Sequence, residues 1–181
     1  MSFAQEKVYT IEDIFALPDG QHAELIDGKM YTMAPPNMLH QRLSGRLFRT
    51  IANYIDSKHG ACEVFAAPFA VFLNDDDFNY VEPDISVICD LGKLTEQGCS
   101  GAPDWIIEIT SPSNPQNDYG IKLFKYRMAG VREYWIVNPQ KKAVVVYDFE
   151  KEEKSNQYVF DDDIPVCIYE GFSLNIAKLL S

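Results

Sequence analysis

Cysteine is scarce and unpatterned. The 181 residues hold four, Cys62, Cys89, Cys99 and Cys167. No two form a CxxC pair, so a zinc site is not expected. Three lie in or beside apolar runs, as reduced structural thiols do. No apolar run approaches the roughly 20 residues needed to cross a bilayer. The opening Met-Ser-Phe-Ala-Gln-Glu-Lys has neither the basic nor the apolar region of a signal peptide. The expectation is a cytoplasmic protein with no membrane partner. Basic charge is in deficit, 16 Lys and Arg against 27 Asp and Glu, for a net charge of -11. An acidic surface repels the phosphate backbone, which excludes a protein that coats nucleic acid without selectivity. Internal repeats and low-complexity segments are also missing.

With 46% hydrophobic residues, the chain is long enough for one sizeable core, read as a single domain over 1–181. Its charge is unevenly placed. Between Met38 and Gly60, Arg42, Arg46, Arg49 and Lys58 face only Asp56, and Lys122, Lys125, Arg127 and Arg132 outnumber Asp118 and Glu133. The acids collect elsewhere, from Asp75 to Asp90 and from Asp148 to Asp163. A local basic groove is therefore compatible with the acidic total.

Thr10-Ile-Glu-Asp13 has the spacing of a helix cap before a short helix that Pro18-Asp19-Gly20 stops. Glu24-Leu-Ile and Lys29–Met33 flank Asp27-Gly28, the dipeptide of a tight hairpin, which puts Glu24 on its first strand. After Pro35-Pro36-Asn37, the steps Leu39, Leu43, Leu47, Ile51 and Ile55 predict a long helix with one buried face. Arg42, Arg46 and Arg49 lie off that stripe. Strands are expected at Cys62–Phe65 and Phe69–Leu73, then at Tyr80–Cys89 with a break at Pro83. Leu94–Pro103 reads as a surface connection. Trp105–Thr110 is the most continuous strand, followed after a Ser/Pro loop by a helix from about Gln116 to Ala129, capped at Gly130. Glu133–Val137 and Ala143–Phe149 are strands joined by a turn. Gln157–Phe160 and Val166–Tyr169 are weaker strands, and Leu174–Leu180 is a closing helical turn or two. The order predicts an α/β sheet with helices on its faces.

Two acids interrupt apolar strands. Glu108 has Ile106-Ile107 before it and Ile109 after it, and Asp84 precedes Ile85 and Val87-Ile88. Desolvating a carboxylate costs several kcal/mol, so a buried one needs a partner. Strand alternation could instead turn Glu108 to solvent, and Asp84 could cap a turn after Pro83. Downstream, Asp118, Lys122 and Tyr126 repeat at i, i+4 and i+8. A solvated Asp118–Lys122 couple is the simpler reading of that spacing. Two strand-borne acids and a helix lysine are also what a metal-dependent phosphodiester-cleaving site needs.

Four phrases carry a resemblance: Ala-Glu24-Leu-Ile-Asp-Gly; Glu82-Pro83-Asp84; Gly101-Ala-Pro-Asp-Trp-Ile-Ile-Glu108-Ile-Thr-Ser-Pro-Ser; and Asp118-x3-Lys122-x3-Tyr126-x3-Gly130-Val-Arg-Glu-Tyr-Trp-Ile-Val. From about Glu12 to Leu180 the chain resembles the Uma-type family of restriction-endonuclease-like, PD-(D/E)xK proteins. The resemblance implies a restriction-endonuclease-like fold, a mixed central β-sheet flanked by helices. It also implies a metal held between the acids, with Pro83-Asp84 as the PD element and Glu108 as the D/E element. Two positions after Glu108, where the superfamily carries lysine, stands Thr110. The matching lysine is Lys122 on the following helix, with Lys125 as the second candidate. Glu24 matches the upstream acid of many members, and His40 resembles a histidine common in the family.

The implied cofactor is Mg²⁺ or Mn²⁺, hard ions that prefer oxygen ligands such as Asp84, Glu108, the Ile109 carbonyl and Glu24. The implied partner is nucleic acid, DNA first, touched by His40, Arg42, Arg46 and Lys125. A homodimer would suit cleavage of both strands. Two other readings stand beside the endonuclease: a catalytically inactive binding module with this fold, and a phosphoesterase acting on small nucleotides. His22 and His59 carry no signal beyond a surface role.

Overall fold

The computed structural model describes residues 7–111, 118–151 and 155–181. Helix α1 (Ile11–Phe15) starts where the Thr10 amide donates to Asp13 at 2.8 Å. Strands β1 (Ala23–Ile26) and β2 (Lys29–Thr32) form the expected hairpin. Asp27 and Gly28 both take positive φ, at 50° and 74°, as a two-residue turn of that hand requires. Helix α2 (Met38–Ser57) is capped by Asn37 accepting from the His40 amide. Leu43, Leu47, Ile51 and Ile55 form its buried face. Leu39, in the first turn of α2, was expected on that stripe but is exposed.

A six-stranded sheet follows in the order β11-β10-β9-β8-β5-β3. Its strands are β3 (Glu63–Ala66), β5 (Ile85–Ile88), β8 (Trp105–Ile109), β9 (Glu133–Asn138), β10 (Ala143–Asp148) and β11 (Asn156–Val159). Only β8 and β9 run parallel, so the sheet is mixed. Every residue of β8 and β9 is buried, the mark of central strands covered on both faces. One face packs Ile85, Val87, Trp105, Ile107 and Trp135 against α2. The other sets Ile88, Ile106, Tyr134 and Ile136 with Tyr126 of helix α3 (Leu123–Ala129). A wider helical turn, Asp118–Lys122, leads into α3, and Gly130 ends it at φ 96°. The expected helix start near Gln116 and most of the Ser/Pro loop lie outside the described residues, as does the side chain of Asp118.

Three sequence expectations are corrected. Leu94–Pro103 is not a bare connection. It contains β6 (Leu94–Thr95) and β7 (Gly98–Ser100), and β7 pairs in parallel with β4 (Val71–Phe72). Cys62 and Cys89 are not two reduced thiols but are joined as a disulfide. The β3/β5 register pairs Glu63 with Ile88, which puts the two cysteines opposite each other with Cα atoms 3.9 Å apart. Cys99 and Cys167 are free. Val166–Tyr169 is a turn; the strand pair there is β12 (Ile164–Pro165) with β13 (Ser173–Leu174), before helix α4 (Ile176–Leu180). No helix among the described residues is long and apolar enough to cross a membrane.

Gly98 makes the β4/β7 pairing possible. At φ 145°, a Cβ there would lie 2.2 Å from the Ala70 carbonyl oxygen, which accepts the neighbouring Cys99 amide. Gly98→Ala is therefore expected to cost about 2 kcal/mol or more, read as a lower denaturant midpoint. An unchanged midpoint would mean that this small sheet shifts freely.

Candidate active site

Strand register brings the first two acids together. Antiparallel β5 and β8 pair Ile85 with Ile107, and one step further along that ladder Asp84 faces Glu108. Opposed residues on antiparallel strands share a face. Because Ile85, Val87 and Ile107 point to α2, Asp84 and Glu108 point to the face covered by α3. Pro83 stops the ladder just before this point, and Asp84 bends its carboxylate back to accept from the Ile109 amide at 2.7 Å. His40, at the start of α2, contacts the same oxygen through Nε2 at 3.1 Å. An ionised carboxylate only accepts, so Nε2 is assigned as the protonated nitrogen.

Glu24 enters from β1. Its Oε1 accepts from the Glu82 amide at 3.1 Å. Lys122 projects from the turn before α3, and its Nζ lies 2.7 Å from Glu24 Oε2 and 2.9 Å from Glu108 Oε1. Tyr126, one turn on, donates to the same Glu108 oxygen at 2.6 Å. Glu24, Glu108 and Lys122 are each 5 to 6% exposed. Burial, and then the charges of Glu108 and Glu24, push the Tyr126 hydroxyl well above its usual range, so it remains a donor to Glu108.

The structure thus gathers Glu24, Glu108 and Lys122 on one point and sets Asp84 across the strand from Glu108. Lys125 goes elsewhere, pairing with Asp27. Thr110, in the place of the superfamily lysine, uses its amide to extend β8 along β9, donating to the Val137 carbonyl at 2.9 Å. Arg42 is exposed and Arg46 half-buried on α2, off its apolar face.

Sequence reasoning gave no role to Tyr126, Tyr80, Glu82 or His22. Buried Glu82 accepts from Tyr80 at 2.6 Å and contacts His22 Nδ1 at 3.1 Å, while its amide holds Glu24. The available signal was the i, i+2 spacing of Tyr80 with Glu82, which in an extended chain turns both side chains to one side. What no local pattern records is that this segment meets β1, through the Leu25–Tyr80 bridge.

The donor chemistry suits a hard divalent ion, since Asp84, Glu108, Glu24 and the Ile109 carbonyl offer only oxygen. Two of these carboxylates already converge on one cation, the Lys122 ammonium. Among the described residues, no three His, Cys, Asp or Glu side chains stand grouped at metal-binding separations. A cleft of about 830 Å³ lies apart from these residues, walled by Phe15, Phe72, Asp75, Asp76 and Asp77 among others. That acidic wall is poorly suited to phosphate.

A mixed central sheet with α2 on one face and α3 on the other is the restriction-endonuclease-like fold. Residues 11–177 match the model of the Uma2 family, described as "Putative restriction endonuclease", and the chain belongs to that family. An uncharacterized protein of Synechocystis sp. is 27% identical over 125 residues, 68% of this chain and 64% of that protein. The match therefore spans less than two thirds of that relative. A crystal structure from Anabaena variabilis, of a putative nuclease belonging to DUF820, superposes with a TM-score of 0.75 at 22% identity. The superposition covers 94% of this chain and 96% of that one, a likeness of fold.

Proposed function

We propose that the protein is a metal-dependent nuclease that hydrolyses phosphodiester bonds of nucleic acid, with DNA as the expected substrate. The observation that carries this reading is the meeting of Glu24, Glu108 and Lys122 beside Asp84, on a chain whose family is described as "Putative restriction endonuclease". Asp84, Glu108, the Ile109 carbonyl and Glu24 would hold Mg²⁺ or Mn²⁺. When bound, such an ion lowers the pKa of a coordinated water and offsets charge building on phosphorus.

The protein's own groups supply orientation and counter-charge. His40 and the Ile109 amide fix the Asp84 carboxylate, and Tyr126 fixes Glu108. Lys122 brings a cation to a site that otherwise collects negative charge, where it can support a phosphorane oxygen or orient water. Arg42 and Arg46 on α2 provide backbone contacts of the sequence-independent kind. Lys125 can join them only by leaving Asp27.

The test is cleavage of supercoiled plasmid and of single-stranded DNA and RNA with Mn²⁺ or Mg²⁺. Wild-type protein is expected to cut, and Asp84→Asn or Glu108→Gln to lower the rate by about a hundredfold or more, the scale of removing one charge-stabilising group. Binding without cutting under all these conditions would favour the inactive-module reading, to which Thr110 already points.

A further inference from the structure

The Lys122 ammonium is placed where a second cation would also have to sit. It lies 2.7 Å from Glu24 Oε2 and 2.9 Å from both Glu24 Oε1 and Glu108 Oε1, all within a region closed to solvent. Glu108 Oε1 is further occupied by the Tyr126 hydroxyl, and Glu24 Oε1 by the Glu82 amide. A carboxylate oxygen has few acceptor directions, and each one spent on a hydrogen bond is closed to a metal. Asp84 differs, since its carboxylate is held by the Ile109 amide and His40.

We propose that Lys122 is a displaceable resident cation: its ammonium occupies the carboxylate oxygens of Glu24 and Glu108 in the metal-free protein, and a divalent ion must take them over to bind. The inference rests on the metal-dependent reading above and goes beyond it by making the lysine an antagonist of the ion it is expected to work beside. Without an ion, two buried carboxylates would face each other uncompensated, which a low-dielectric interior penalises heavily. Lys122 meets that need, so the site folds complete and is held closed until loaded. Loading then frees the ammonium to turn towards substrate.

Isothermal titration with Mn²⁺ alone tests this on wild-type protein and on Lys122→Gln, which keeps a polar side chain and removes the charge. Lys122→Gln is expected to bind Mn²⁺ at least tenfold more tightly. Equal or weaker binding by the variant overturns the inference and leaves the metal-dependent reading intact. Absence of Mn²⁺ binding in both proteins overturns that reading and the inference together. A second measurement needs no variant: in wild-type protein labelled with ¹⁵N-lysine, the buried Lys122 ammonium should give a resolved, exchange-protected signal without metal. Saturating Mg²⁺ should abolish that protection. A signal unmoved at saturation would show that the ammonium stays on its carboxylates, and the inference would fall.

Discussion

Lys122→Met is expected to lower unfolding stability by about 3–5 kcal/mol, the range for removing one partner of a buried ion pair. In a domain of this size that is a fall of roughly 6–20 °C in midpoint temperature. The size follows from the geometry: Lys122 is the cation bonded to both Glu24 and Glu108, and all three are buried. A solvated helix couple would give less than about 1 kcal/mol, so thermal or urea denaturation separates the two cases. Lys122→Met combined with Glu24→Gln and Glu108→Gln should recover part of the loss, because the uncompensated charges leave with the lysine. A single-variant cost below about 1 kcal/mol would mean that water reaches the carboxylates.

The second large effect lies outside the candidate site, on the strand that pairs with β8. Glu133, fully buried at the start of β9, accepts from Trp135 Nε1 at 2.6 Å and from the Cys167 and Ile168 amides at 3.0 and 2.9 Å. It anchors the turn that follows β12. Glu133→Ala would leave the buried Trp135 indole and the two part-buried amides without their acceptor, at about 1–3 kcal/mol for a donor that water cannot reach, for a total of about 3 kcal/mol once the turn relaxes. Burial raises this carboxyl above its ordinary value of 4.5, against the pull of its three donors. The folded state therefore holds the proton more tightly than the unfolded chain does. The Glu133 contribution is greatest below pH 4.5 and declines as pH rises through the folded value. Urea midpoints from pH 4 to 7 should fall more steeply for wild type than for Glu133→Gln. Parallel profiles would mean that the group titrates alike in both states.

What the sequence made legible was local or periodic. The Asp27-Gly28 hairpin, the stripe of α2, the continuous burial of β8, the break at Pro83 and the cap at Gly130 each follow from residues within a turn or two of one another. Glu108, flanked by apolar residues on both sides, likewise signalled a buried carboxylate in need of a partner, whereas the choice of Glu24, Asp84 and Lys122 as its companions rested on the resemblance to the Uma-type family. Long-range register was not legible. Nothing near Cys62 says that it faces Cys89, and nothing near Val166 says that its neighbours' amides will be claimed by Glu133. The Gly-rich stretch before Pro103 reads as a loop until β4 offers it an edge. His22 is exposed, as expected of a surface residue, but nothing near it records its contact with Glu82, 60 positions away.

The Lys122 contacts also bear on how the chain reaches its folded state. The bond to Glu108 closes 14 positions and the bond to Glu24 closes 98. Closure entropy rises with loop length, and contacts of high sequence separation slow folding. The Glu108–Lys122–Tyr126 part can form with the β8 and α3 segment alone, while Glu24 must be delivered from the opposite end of the chain. The first hairpin thus acts as a latch on the centre. Release of that hairpin would take Glu24 from Lys122 while leaving the six-stranded sheet paired, because β1 and β2 are not among its strands.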